Sequence, residues 1–195
     1  MTTLLLARHG ETEWNRTHRW QGFTGPSLNL RGRRQAEELA SRVEGLAIAA
    51  IYSSDTIRAL ETAQIVAARN GVEIRQDPRL REVNFGEWEG LTRAEINERY
   101  VGAFNEWDAC KRAAPPGGES DVQMAARVVE SLLDIATRHE DERVLVVTSG
   151  GPIRAAQAHA AGVDQALARL HFERAHNCAV FELLIEQGSF MLADV

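Results

Sequence analysis

Apolar residues fall into two patterns along this chain. Short continuous runs at Leu4 to Ala7, Ala49 to Tyr52 and Val144 to Val147 have the length of strands and no polar alternation, as expected of strands covered on both faces. Longer stretches between them repeat apolar positions every three or four residues. Ala36, Leu39, Ala40 and Val43 mark a helix within Arg31 to Leu46. Ala59, Ala63, Val66 and Ala67 mark a second, with Ser53, Ser54 or Asp55 as N-cap and Gly71 as its stop. A long helix runs from a cap at Ser120 or Asp121 to about Arg138. Thr148-Ser149-Gly150-Gly151-Pro152 then leads into an alanine-rich helix with proline at an early position.

The remaining segments are less regular. Val72 to Arg75 reads as a third strand, Asp77 to Gly90 as irregular, and the stretch up to about Trp107 as a polar helical region. Ala113 to Gly118 contains Pro115-Pro116-Gly117-Gly118 and is a loop within one domain spanning residues 1–195. Strands near Cys178 to Ile185 and Phe190 to Ala193 close the chain. Strands alternating with helices predict an α/β fold, a sandwich with a largely parallel sheet. Sites in such sheets lie beyond the carboxyl ends of strands, and the two most unusual junctions fall there: His9 after the first strand and Ser149 after a later one.

Composition narrows the function classes. With 44% apolar and 26% charged residues the chain is ordinary for a globular domain. No apolar run approaches the roughly 18 residues that span a bilayer, and the start turns charged too early for a secretory signal, so a cytoplasmic location and no membrane partner are expected. The net charge of −6 and scattered arginines argue against nucleic acid while leaving room for a small anion on a local arginine cluster. Cys110 and Cys178 share no motif and read as free thiols, and no metal-ligand spacing is visible, so neither metal nor other cofactor is expected.

Arg8-His9-Gly10-Glu11-Thr12 places an imidazole beside a guanidinium at a strand end; by itself this fits a hydrogen-bonded structural histidine. The wider pattern changes that reading. Leu6 to Asn15, with Arg8-His9-Gly10-Glu11-Thr12 at its centre, resembles the opening signature of the histidine phosphatase superfamily, the phosphoglycerate mutase-like group. Four later segments are similar to its further motifs in the same order. They are Pro26 to Gly32 with Gln35-Ala36, Ser53-Ser54-Asp55 with Arg58-Ala59 and Thr62-Ala63, Leu80-Arg81-Glu82 with Gly86 and Trp88-Glu89-Gly90, and Val144 to Arg154.

The resemblance implies a three-layer α/β/α sandwich and hydrolysis of a small phosphorylated metabolite through a phosphohistidine. His9 would be the nucleophile and Glu82 the general acid, with Arg8 and Arg58 gripping the phosphoryl oxygens. Asn15, Ser149 and Gly150 would add phosphate contacts. Outside the resemblance, Glu82 also fits a surface salt bridge with Arg79 or Arg81, and Arg58 a solvated helix face. Glu11 and Trp14 divide evenly between lining the site and local packing. A homodimer is compatible with this reading.

One departure matters most: relatives usually carry a second histidine where this chain has Ser149. A serine is neutral and offers a single hydroxyl donor. It either touches phosphate or merely caps the following helix. His18, His139, His159, His171 and His176 are the other histidines, with His176, beside Asn177, the nearest candidate to replace the missing one. A second departure is Gly25, where many relatives have an acidic residue. The competing functions are a weakened member that binds phosphorylated ligands without turnover and a phosphoglycerate-type mutase. Trp20, Phe23 and the stretch between Glu95 and Gly118 are expected to set specificity.

Overall fold

Successive residues of the first apolar run serve two different cores. In the computed structural model, which describes residues 1–111 and 114–193, this run forms β1 (Thr2–Arg8). Next come α1 (Glu13–Arg16), α2 (Leu30–Val43), β2 (Ile48–Ser53), α3 (Ile57–Asn70) and β3 (Ile74–Gln76). After 3-10 turns at Pro78–Leu80 and Gly86–Trp88, the chain continues through α4 (Arg93–Arg99), α5 (Ala103–Asp108), α6 (Asp121–Arg138), β4 (Arg143–Thr148) and α7 (Gly150–Ala160). It ends with a 3-10 turn, α8 (Ala168–His171), β5 (Val180–Glu186) and β6 (Ser189–Leu192).

The sheet order is β3-β2-β4-β1-β5-β6. The first four strands are mutually parallel, whereas β5 and β6 add antiparallel to the β1 edge. Leu5, Ala7, Ile51, Leu145 and Val147 face a core shared with α2 and α3, and Leu4, Leu6, Val144 and Val146 face one shared with α6 and α7. Helices therefore cover both faces, which is why these strands show no polar alternation. The mixed α/β fold with a mostly parallel sheet agrees with the sequence expectation.

Several boundaries differ from the sequence reading. α2 starts at Leu30 because the Asn29 side chain accepts the Gly32 amide at 2.8 Å, and it stops at Val43. None of Ser53, Ser54 and Asp55 caps α3; its N-cap is Thr56, and Asp55 instead pairs with Arg81. The helical region before Trp107 is two helices, broken where Gly102 takes φ 78° ahead of α5. α1 was not foreseen, since four residues carry no apolar period; a reciprocal Thr12–Asn15 capping box forms it. Of the Ala113 to Gly118 loop, Ala113 lies outside the described residues, and the rest turns through a Gly118 to Pro115 backbone hydrogen bond of 3.1 Å.

Register places the site. Arg8 of β1 pairs with Thr148 of β4, so His9 and Ser149 leave the sheet side by side at neighbouring carboxyl ends. The first turn after β1 then lies directly on the start of α2. A Cβ on Gly10 would collide with the Gly32 backbone, and one on Gly32 with the Glu11 backbone, so glycine is required at both positions.

Candidate active site

His9 is buried at the end of β1, and two hydrogen bonds assign its tautomer. Nδ1 lies 2.7 Å from the Gly10 carbonyl oxygen and can only donate to it. Nε2 accepts from Arg58 Nε at 3.2 Å, so this nitrogen carries the lone pair. Burial, then the charges of Arg58 and Arg8, hold the imidazole well below the ordinary histidine range, leaving it neutral at physiological pH.

Arg58 is fully buried, which excludes the solvated-face reading. Beyond its bond to His9, it donates to the carbonyls of Thr24 at 3.0 Å and Gly22 at 2.7 Å, tying the 22–24 loop over the site. Glu89 secures the same loop by accepting the Phe23 and Thr24 amides at 2.8 and 2.9 Å. Gly25, in the adjoining position, takes φ 130°, and a Cβ there would stand 3.4 Å from Arg58 Nη1. Arg8 donates to the Ala175 carbonyl at 2.6 Å, while its buried Nε has no partner.

Glu82 is 3% exposed and pairs with neither arginine proposed for it. Arg79 instead binds Asp77, Glu130 and Asp134, and Arg81 binds Asp55. The Glu82 carboxylate accepts the Gly151 amide at 3.1 and 3.2 Å and the Val83 amide at 3.0 Å, so it sits on the N-terminus of α7. A side chain on Gly151 would occupy the place of that carboxylate. The Gly151 amide is thereby committed to Glu82, and Gly150 is buried one residue earlier.

Ser149 is the N-cap residue of α7, yet its hydroxyl makes no capping bond and is buried with no hydrogen-bond partner among the described residues. Asn15 accepts through Oδ1 from Thr12 and Asn177, and its NH2 group donates to no acceptor among the described residues. Asn177 also donates to the His9 carbonyl at 2.9 Å.

None of the other described histidines lies beside His9 in a hydrogen bond. His139 is buried at the opposite end of the sheet, bonded to Tyr52 and Glu142. His159 packs on Phe190, and His18, His171 and His176 are exposed. Both Glu11 and Trp14 have local contacts, and Trp14 also lines a hollow shared with Asn15, Trp20 and Arg174. Glu11 binds Asn29 and Arg31, and Trp14 lies against Gly90.

A cavity of about 430 Å³ opens beyond Glu82, lined in part by Trp20, Trp107, Gly151, Arg154 and Arg174. Trp20 and Trp107 are 5.3 Å apart, edge to face. Of the expected specificity residues Trp20, Trp107 and Asp108 line the cavity, whereas Phe23 lies under Arg81. Arg154 and Arg174 were not singled out from the sequence. Their only signal is Arg154 at the end of the last motif, and nothing local marks Arg174. Both cysteines are free. Among the described residues no group of three or more His, Cys, Asp or Glu is placed to hold a metal, and no helix is long and apolar enough to cross a membrane.

A buried imidazole, two arginines beside it and a carboxylate at a helix start, all beyond one end of a mostly parallel sheet, are set in a phosphoglycerate mutase-like fold. The chain belongs to the histidine phosphatase superfamily (branch 1), whose family model matches residues 4–195. Phosphoserine phosphatase 1 of Hydrogenobacter thermophilus is 34% identical over 165 residues, covering 84% of this chain and 78% of that protein. Glucosyl-3-phosphoglycerate phosphatase of Mycobacterium tuberculosis is 37% identical over 163 residues, covering 80% and 73%. The structure of Bacillus stearothermophilus YhfR superposes with a TM-score of 0.93 at 38% identity, covering 99% of this chain and 96% of that one.

Proposed function

We propose that the protein hydrolyses a small phosphomonoester in two steps through a phosphohistidine on His9. The observation that carries this reading is the state of His9: neutral, with Nδ1 tied to Gly10 and the Nε2 lone pair turned toward Arg58. That lone pair attacks phosphorus. As the bond from phosphorus to the leaving oxygen breaks, Glu82 gives its proton to that oxygen. Water then attacks the phosphoryl group on Nε2 and gives a proton to the Glu82 carboxylate. The P–N bond electrons return to the imidazole, and inorganic phosphate departs.

Arg8 and Arg58 flank His9, so a phosphoryl group arriving at Nε2 meets two permanent cations at its nonbridging oxygens. Asn15 and Ser149 add neutral donors. The unpartnered Ser149 hydroxyl supports a phosphate contact over a capping role, since it caps nothing. The relatives named as phosphatases of phosphoserine and glucosyl-3-phosphoglycerate support hydrolysis of a small phosphorylated metabolite. The test is acid-labile, base-stable phosphate trapped on protein quenched during turnover, together with inorganic phosphate release. His9→Ala is expected to abolish both. Turnover at the wild-type rate in His9→Ala would refute the covalent route, and isomer formation without phosphate release would make the protein a mutase.

A further inference from the structure

Two guanidinium groups beyond Glu82 have neither an ion-pair nor a hydrogen-bond partner among the described residues. Arg154 follows Gly151 by three residues, so it projects from the face of α7 that holds Glu82. It is largely buried, and its Nε is sealed from solvent with no acceptor. Arg174 arrives from the segment before β5. Its Cγ lies 3.1 Å from where a Cβ on Gly150 would stand, and its guanidinium lies 5.8 Å from the centre of the Trp20 ring. Both line the cavity beside Glu82. Burial, opposed by Glu82 and reinforced by Arg174, pulls the Arg154 guanidinium below its ordinary range.

Two neighbouring cations facing the same space repel one another; Arg174 is exposed and keeps its hydration, whereas the largely buried charge of Arg154 without a counter-ion is strongly unfavourable. The cavity's third arginine shows the contrast. Arg169 pairs with Asp121, donates to the Trp107 carbonyl at 2.6 Å and is favoured by the nearby charge of Asp108. Asp121 is thus engaged with Arg169, Glu82 is held by α7, and Asp108 is exposed. Arg154 and Arg174 lack a counter-ion of their own. Arg154 stands apart from the phosphoryl cradle and shares a wall with the acid that would meet the leaving oxygen, whereas Arg174 lies between the two, close enough for its charge to act on His9, Arg8 and Arg58.

Resting on the phosphatase reading above, we propose that Arg154 and Arg174 form a second anion subsite on the leaving-group side of Glu82. The substrate is then a phosphomonoester that bears a further anionic group, a carboxylate or a second phosphate, within a few bonds of the scissile oxygen. Trp20 holds Arg174 in place through its ring face and closes the apolar side of this subsite.

The experiment compares two matched pairs of compounds: 3-phosphoglycerate with glycerol 3-phosphate, and fructose 1,6-bisphosphate with fructose 6-phosphate. Within at least one pair, kcat/KM for the doubly anionic member is expected to exceed that of its partner. Arg174→Gln and Arg154→Gln should each lower that ratio roughly 10- to 100-fold, the scale of one charge-assisted hydrogen bond. The pair that shows the preference identifies the second anion. No preference in either pair, or an equal loss for both members in the variants, would overturn the subsite while leaving the phosphatase reading intact. Absence of hydrolysis of all four compounds would count against the phosphatase reading instead. The subsite is then tested by calorimetric binding of the same compounds to His9→Ala and to His9→Ala/Arg174→Gln, where equal affinities within both pairs would overturn it.

Discussion

Ser149→Ala sets two effects against each other. At an ordinary helix start, replacing a serine N-cap with alanine lowers stability by about 0.5–2 kcal/mol because a capping bond is lost. Here there is no capping bond to lose. The Ser149 hydroxyl is buried and unpartnered, so it forgoes hydration at about 1–3 kcal/mol. Deleting the oxygen recovers that amount, less about 0.3 kcal/mol for a void of about 10–15 Å³ at about 24 cal/mol per Å³. The net is a gain of about 0.7–2.7 kcal/mol. For a domain of this size that raises Tm by roughly 1–11 °C. The same substitution removes a donor to the phosphoryl group, and a hydrogen bond to a charged partner is worth about 1.5–3 kcal/mol, or roughly 10- to 150-fold in rate. The expected variant is therefore more stable and slower, as when a site keeps a group that the fold alone would discard. Calorimetric melting and steady-state phosphate release on one preparation measure both quantities. A Tm lowered by several degrees would mean the hydroxyl has a structural partner. A wild-type rate would mean it does not touch phosphate.

Arg58→Ala should lower kcat/KM by at least roughly 10²-fold, the scale of losing one preorganised donor, and should also increase protease sensitivity of the 22–24 loop, which loses two of its anchors. A variant with normal kcat/KM would remove Arg58 from the site. Chelators should leave activity unchanged; activity lost in EDTA and restored by Mg²⁺ or Zn²⁺ would refute the metal-free mechanism. The depressed pKa of His9 also links the site to stability. Below about pH 6.5 the unfolded chain takes up a proton that the folded imidazole refuses, so stability falls as pH falls. Between pH 6.5 and 5.5 this amounts to about 1 kcal/mol, and His9→Ala should lack that share in denaturant titrations at the two pH values. Equal acid sensitivity in wild type and variant would show that His9 is not held neutral.

The sequence by itself determined the layering and the ends of the main strands. Leu4 to Ala7 and Val144 to Val147 are continuous apolar runs because both sheet faces are covered, and a local pattern can record that. The motifs around His9, Arg58 and Glu82 were legible for a related reason: each combines chemically specific residues with glycines whose missing side chains make room for neighbouring backbone or carboxylate, as Gly151 does for Glu82. Short-range capping choices were less legible. Ser53, Ser54 and Asp55 all have N-cap chemistry, and only the tertiary pairing of Asp55 with Arg81 and the extension of β2 through Ser53 moved the cap to Thr56.

Tertiary structure alone decided which charges are paired. Arg79 and Arg81 lie next to Glu82 in sequence but turn to other acids, and Glu82 binds an amide 69 residues away. Arg154 and Arg174 come from different elements and meet only because β5 folds back along β1 beside the start of α7. An arginine looks the same in sequence whether or not a carboxylate answers it; its partner is set by long-range packing. The same holds for Ser149, whose residue type fits a helix cap and whose solitary buried hydroxyl is visible only in the folded chain.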